Sequence, residues 1–193
     1  MKCWESELSA TYNKMQIANK WLDGLNSLTI IFPFRYFSYL DSGDSDIQDL
    51  VNHINNDTIS RVYLYTKPLY EVQLTNLMLF HAYVVFYTET NRGRIWWSLE
   101  KNGEALILQM SRNIEDVRDK IEGGKRMKNT GYWKPELNTE DESGISFQTL
   151  YDYIIVDTDQ LNIKYNFSDE NCKKFAKIVF DKIALAKKWN YFI

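Results

Sequence analysis

Phe80-His-Ala-Tyr-Val-Val-Phe-Tyr-Thr-Glu-Thr-Asn-Arg-Gly-Arg-Ile-Trp-Trp-Ser-Leu-Glu-Lys-Asn-Gly-Glu-Ala-Leu-Ile-Leu-Gln109 holds three strand-like runs separated by two turn signals. The runs, at about 79–88, 94–101 and 104–110, are rich in aromatic and β-branched residues, which suit a pleated and half-buried surface. Asn91-Arg-Gly93 and Asn102-Gly103 lie between them, and Asn-Gly between alternating runs is a strong short-range hairpin signal. The stretch therefore predicts an antiparallel meander of three strands.

Further along, Tyr165-Asn-Phe-Ser-Asp-Glu-Asn-Cys-Lys-Lys-Phe175 opens a helix. Ser168 is a good N-cap, and Asp169 and Glu170 supply an acidic first turn. Phe175, Ile178, Val179, Ile183 and Ala186 then recur at three- and four-residue spacing, an amphipathic stripe able to pack on the sheet. Sheet and helix together give the class α+β, with an antiparallel sheet packed on a helix that starts at the Cys172 segment.

That helix start has chemical consequences. Cys172 falls in or beside the first turn, where backbone N–H groups and the helix dipole favour a thiolate. Asp169 and Glu170 oppose this, so a nearby base is needed. His81, in a strand of aromatic and β-branched neighbours, is the candidate, because a buried imidazole must find a partner. His53 lies in the polar stretch Val51-Asn-His-Ile-Asn-Asn-Asp57, which reads as a helix end running into a loop, and has no such setting. Ser98 and Glu100 share one face of the next strand by period-two alternation, so either could orient the imidazole.

The order His81, Ser98 on the following strand, then Asn171-Cys-Lys-Lys-Phe175 at a helix start resembles the circularly permuted papain-like group. Within it, the likeness is to the lecithin:retinol acyltransferase-like family and its NlpC-type relatives. Tyr165, Ser168, Glu170, Asn171 and Cys172 fall where members of that family often carry Tyr, Ser or Thr, and Glu-Asn-Cys. The desumoylating isopeptidases share the His-then-Cys order. The resemblance spans about residues 79 to 185 and implies a thiol hydrolase or acyltransferase in which His81 activates Cys172. It departs from the pattern at Ser98, where the family commonly has a second histidine, and at Ala82, where a tryptophan is usual.

Composition narrows the class. The chain has 193 residues, with 45% hydrophobic and 15% aromatic content, enough to bury a core. A net charge of −3 argues against general nucleic-acid binding. No run approaches a membrane span, and Met1-Lys-Cys-Trp-Glu-Ser6 lacks the apolar segment of a secretory signal. The two cysteines, Cys3 and Cys172, predict no structural disulfide and no zinc site, and no cofactor is implied. A reduced, cytoplasmic setting follows, which would be a host cytosol for a viral or effector protein.

Residues 1–75 read as an added helix and strand lobe on a papain-like core at 76–193. It would comprise a helix over 5–26, a strand from Thr29 to Tyr39 broken at Pro33, a short helix over 46–54 and a strand from Arg61 to Thr66. Helix is expected from Asn113 to Glu122, and either strand or helix from Ser146 to Tyr153. Residues 123–144 read as one long loop, a surface excursion or a flap over the substrate, with Lys125-Arg-Met-Lys128 available to a phosphate or an acidic partner.

Two functional classes follow. One is a cysteine hydrolase or acyltransferase acting on an ester, amide or isopeptide carbonyl of a lipid or peptide/protein substrate. The other is a non-catalytic binding module on the same fold, favoured by Ser98 in place of histidine and able to engage a protein partner through the N-terminal lobe.

Overall fold

The computed structural model describes residues 16–17, 27–33, 57–68, 80–91, 93–101, 105–121, 124–125, 135–160, 163, 165–166 and 171–190. The expected helix over 46–54, His53, Cys3, the Asn102-Gly103 turn, Ser168, Asp169, Glu170 and Arg126-Met-Lys128 lie outside them.

The strands are β1 (Gln16–Ile17), β2 (Ser27–Pro33), β3 (Ile59–Pro68), β4 (Phe80–Thr90), β5 (Gly93–Lys101), β6 (Ala105–Ser111), β7 (Lys120–Ile121), β8 (Gly124–Lys125) and β9 (Glu136–Glu142). Among the described residues, seven of them form an antiparallel sheet in the order β1-β2-β6-β5-β4-β3-β9. β7 and β8 pair separately. The meander β4-β5-β6 appears as the sequence predicts. Its first turn is closed by Gly93 at φ 107°, a backbone conformation that glycine reaches at little cost. β3 extends the expected Arg61–Thr66 run at both ends, and β2 ends at Pro33. Strands on both sides of residue 75 belong to this one sheet.

Three sequence expectations are corrected. Glu136–Glu142, placed in the loop at 123–144, is an edge strand on β3, from Arg61–Glu142 to Thr66–Glu136. It reads as loop because its side chains are polar and largely exposed, whereas its stabilisation comes from backbone pairing and contacts such as Arg61 to Glu140 at 3.5 Å. Within the expected helix over 5–26, Gln16–Ile17 is extended and pairs with Ile30 and Ile31, so ladder formation overrides helical periodicity there; the rest of that segment is outside the described residues. The third concerns the helix cap, and its reason is local. The cap is Asn171, whose side chain accepts from the N–H groups of Lys173 and Lys174 at 3.0 and 3.1 Å, so the helix has no acidic residue in its first turn.

Helices α1 (Ile114–Asp119), α2 (Phe147–Asp152) and α3 (Cys172–Ile183) complete the fold. Ser146 caps α2 by accepting from Thr149 N–H, which resolves the Ser146–Tyr153 ambiguity in favour of helix. α3 packs across β3, β4 and β5. It buries Phe175, Ala176, Val179, Phe180 and Ile183 against Val62, Leu64, Val84, Phe86, Trp97 and Leu99. Phe147 stands edge-on to both Phe86 and Trp97, with centroids 5.3 and 4.6 Å away. Burying each large side chain of this kind is worth roughly 1.5–3 kcal/mol, so this face holds the fold together.

Candidate active site

The site is assembled where β4 and β5 part company. Their pairing runs from Thr90–Gly93 to Val84–Leu99 and stops there, although β4 continues back to Phe80 and β5 forward to Lys101. Alternation puts His81, Tyr83 and Val85 on the face opposite the one α3 covers, and the His81 and Tyr83 rings stack at 6.0 Å. Glu100 lies on the same face as His81. Its carboxylate accepts from the imidazole Nε2 at 2.5 Å, with both side chains almost fully buried.

Cys172 arrives from the other side of the sheet, as the first residue of α3. Its thiol meets the open end of β4, with the Phe80 carbonyl 3.9 Å from Sγ and the Ala82 N–H donating to the sulfur. His81 also hydrogen-bonds the sulfur. Because Nε2 is held by Glu100, Nδ1 is the ring nitrogen that serves the thiol. The gap in the β4–β5 ladder is what allows a helix residue on one face to reach an imidazole on the other.

A fourth group, Tyr165, donates its hydroxyl to the same sulfur. Burial and the neighbouring thiolate push that phenol up to about 12, so it stays protonated and remains a donor. The sequence shows Tyr165 seven positions before Cys172, but only the folded structure reveals that the two side chains meet.

The electrostatics of the three titratable groups are coupled. Burial pushes the Cys172 thiol up, but the hydrogen bond and charge of His81, the Ala82 N–H and the Tyr165 hydroxyl more than offset this, leaving it below its ordinary value. Burial alone would lower His81; its bonds to Cys172 and Glu100 outweigh that and raise it from 6.5 to about 9. The two shifts have the signs expected where a thiol and an imidazole favour each other's charged forms, with a carboxylate behind the ring. Cys172 is a free thiol and is only 5% exposed.

Of the residues singled out from sequence, Cys172, His81 and Glu100 come together. Ser98 is buried two positions from Glu100 and donates to Gln109 Oε1 at 3.1 Å, across the β5–β6 pair Ser98–Gln109. Glu100, rather than Ser98, is therefore the group bonded to the ring. Trp96 and Trp97 divide between the two faces: Trp97 enters the core under α3, and Trp96 joins Tyr63 and Tyr87 on the other side.

Among the described residues, no group of three or more His, Cys, Asp or Glu side chains could hold a metal ion. No helix among them is long and apolar enough to cross a membrane. Compared with known proteins, the chain matches no family model, no curated protein and no solved structure.

Proposed function

We propose that the chain is a thiol-dependent hydrolase or acyltransferase of permuted papain-like type, acting in the cytoplasm on a lipid or peptide/protein substrate. The observation that carries the proposal is the linear arrangement of Cys172, His81 and Glu100, in which a buried imidazole is bonded to a thiol on one nitrogen and a carboxylate on the other. That arrangement provides a nucleophile, a proton carrier and a group fixing the tautomer.

In the first step the Cys172 thiolate attacks the carbonyl carbon of an ester, amide or isopeptide. The C–S bond forms, and the carbonyl π electrons move to oxygen. That oxygen needs hydrogen-bond donors. Asn171 engages the Lys173 and Lys174 N–H groups, and the Cys172 N–H meets the Tyr165 hydroxyl oxygen, whose place a substrate oxygen would take to accept from that N–H. Collapse of the tetrahedral intermediate breaks the bond to the leaving alcohol or amine, which takes its proton from His81. Water or another acceptor then gives a proton to His81 and attacks the thioester, and the C–S bond breaks to release the Cys172 thiolate beside the protonated imidazole.

The alternative, a non-catalytic binding module, is favoured by one observation: a thiol at 5% exposure has little room for a substrate. The two readings separate in the pH dependence of Cys172 alkylation by iodoacetamide, measured with Cys3 replaced by Ser. The catalytic reading requires a midpoint below the ordinary thiol value of about 8.5 that rises in His81→Ala. A midpoint unmoved by His81→Ala would discard it in favour of the binding module.

A further inference from the structure

The last two residues of β5 point to opposite faces, and each reaches a different support of Cys172. Glu100 holds His81. Lys101, on the α3 side, is 1% exposed, and its ammonium donates to three oxygens: the Gln160 carbonyl and Gln160 Oε1, both at 3.4 Å, and the Ile163 carbonyl at 2.9 Å. Burying a lysine ammonium is costly unless its donors are met, and here the oxygens of Gln160 and Ile163 meet them, which ties that segment to the end of β5.

The segment held is the one leading to Tyr165. After α2 the chain makes a wide turn at Tyr153–Asp157, closed by Thr158 N–H to Tyr153 O and Gln160 N–H to Ile154 O, both 2.9 Å. It then reverses at Asp159, whose φ of 48° lies in the left-handed region that Asp tolerates better than most residues. Gln160 and Ile163 follow, and Tyr165 is two residues beyond the carbonyl that Lys101 grips most closely. Helix packing fixes Cys172 from the other end of this stretch. At the near end, the ammonium of Lys101 grips Gln160 and Ile163.

We propose that Lys101 is a positioning residue that sets the Tyr165 hydroxyl against the Cys172 sulfur, so that the end of β5 supports both partners of the thiolate: His81 through Glu100, and Tyr165 through Lys101. This inference rests on the thiolate reading of the site. Lys101 itself bonds to the Gln160 carbonyl and side-chain oxygens and the Ile163 carbonyl, and acts on the thiol through Tyr165. The titratable groups around the sulfur are His81 of β4 with Glu100 of β5 behind it, Tyr165 of the preceding segment, and Lys173 of α3, whose ammonium lies over the Phe80 ring.

The test is a double-mutant cycle on the alkylation midpoint of Cys172, using iodoacetamide and the full chain with Cys3→Ser. A hydrogen bond to a charged group is worth enough to shift the midpoint by about one pH unit. Tyr165→Phe and Lys101→Met should each raise the midpoint by about that amount, and the double variant should rise no further than either single one. Gln160→Leu, which leaves Lys101 and two of its acceptors in place, should move the midpoint the same way by less. It serves as the test if Lys101→Met fails to unfold cooperatively. An unchanged midpoint in Lys101→Met, additive shifts in the double variant, or no shift in Gln160→Leu where Lys101→Met does not fold, each overturns the positioning role. His81→Ala in the same series keeps the two ideas apart: its failure to raise the midpoint removes the thiolate–imidazolium pair itself, whereas a rise there without one in Lys101→Met removes only the role of Lys101.

Discussion

The two faces of the central sheet are built from different materials. Under α3 lie Val62, Leu64, Val84, Phe86, Trp97 and Leu99, closed by Phe147 and the apolar stripe of the helix. On the other face, Tyr63, Tyr65, Tyr83, Tyr87 and Trp96 form a run of rings 4.9–6.5 Å apart that leads back to His81, with Ser98, Gln109 and Ser111 hydrogen-bonded on β5 and β6. Apolar packing can hold a helix but cannot hold a charged imidazole. The polar-aromatic face can, because it brings hydrogen-bonding groups to the ring, with Glu100 on the imidazole and Ser98 and Gln109 bonded to each other beside it. The candidate site sits where these two regimes meet, with its sulfur contributed from the apolar side and its base from the polar side.

That division is open to direct attack. The largest effect expected is from Trp97→Ala, which empties the contact with Phe86 and Phe147. It should cost about 3–5 kcal/mol in chemical denaturation. On the opposite face, Tyr83→Phe keeps the ring and removes the bond from the hydroxyl to the Arg118 carbonyl, 2.7 Å long, and about 1 kcal/mol should be lost. Equal losses in the two variants would erase the contrast between the faces.

The site makes its own prediction in the pH dependence of stability. His81 binds its proton more tightly in the folded protein, at about 9, than at its ordinary value of 6.5. The part of the stability that this contributes is fully present below pH 6.5 and is lost as pH rises through about 9. The lowered Cys172 thiol contributes with the opposite sign, present above its unfolded value and lost as pH falls. Glu100→Gln removes a carboxylate that raises the imidazole, so the decline should flatten when unfolding free energies are compared at pH 6 and pH 10. An identical decline in both proteins would detach Glu100 from the titration of His81.

Two smaller changes sharpen the picture at its edges. Asn171→Ala strips the cap from α3, and a stability loss of about 1 kcal/mol is expected in thermal or urea unfolding. A loss near zero would mean that tertiary packing alone holds the start of the helix. Ser98→Ala should be the mildest, since it removes one bond to Gln109. Stability should fall by about 1 kcal/mol or less, with the Cys172 alkylation midpoint unchanged. A shifted midpoint would restore Ser98 as a partner of the imidazole.

How much of this was readable beforehand depended on the kind of signal each element carries. The meander was legible because its runs are aromatic and β-branched and its turns are marked by Asn and Gly. α3 was legible from its stripe, though its cap moved from Ser168 to Asn171, since several good capping residues precede the helix and sequence does not rank them. β9 was not legible: Glu-Leu-Asn-Thr-Glu-Asp-Glu carries no apolar alternation, and an edge strand is recruited by the backbone of its neighbour. At the site, Cys172, His81 and Glu100 were all named from residue type and periodicity, but the choice of Glu100 over Ser98 was left open.

The sequence by itself determined the α+β class, the order of the core strands, the helix that carries Cys172 and the residue types able to do thiol chemistry. Those follow from local propensity and period, which neighbouring residues encode directly. Only the tertiary structure decided which polar group stands behind His81, that Tyr165 shares the sulfur, and that Lys101 grips the segment before it. These depend on where the β4–β5 ladder stops and on how chain segments far apart in sequence are brought together, and no local pattern carries that distance.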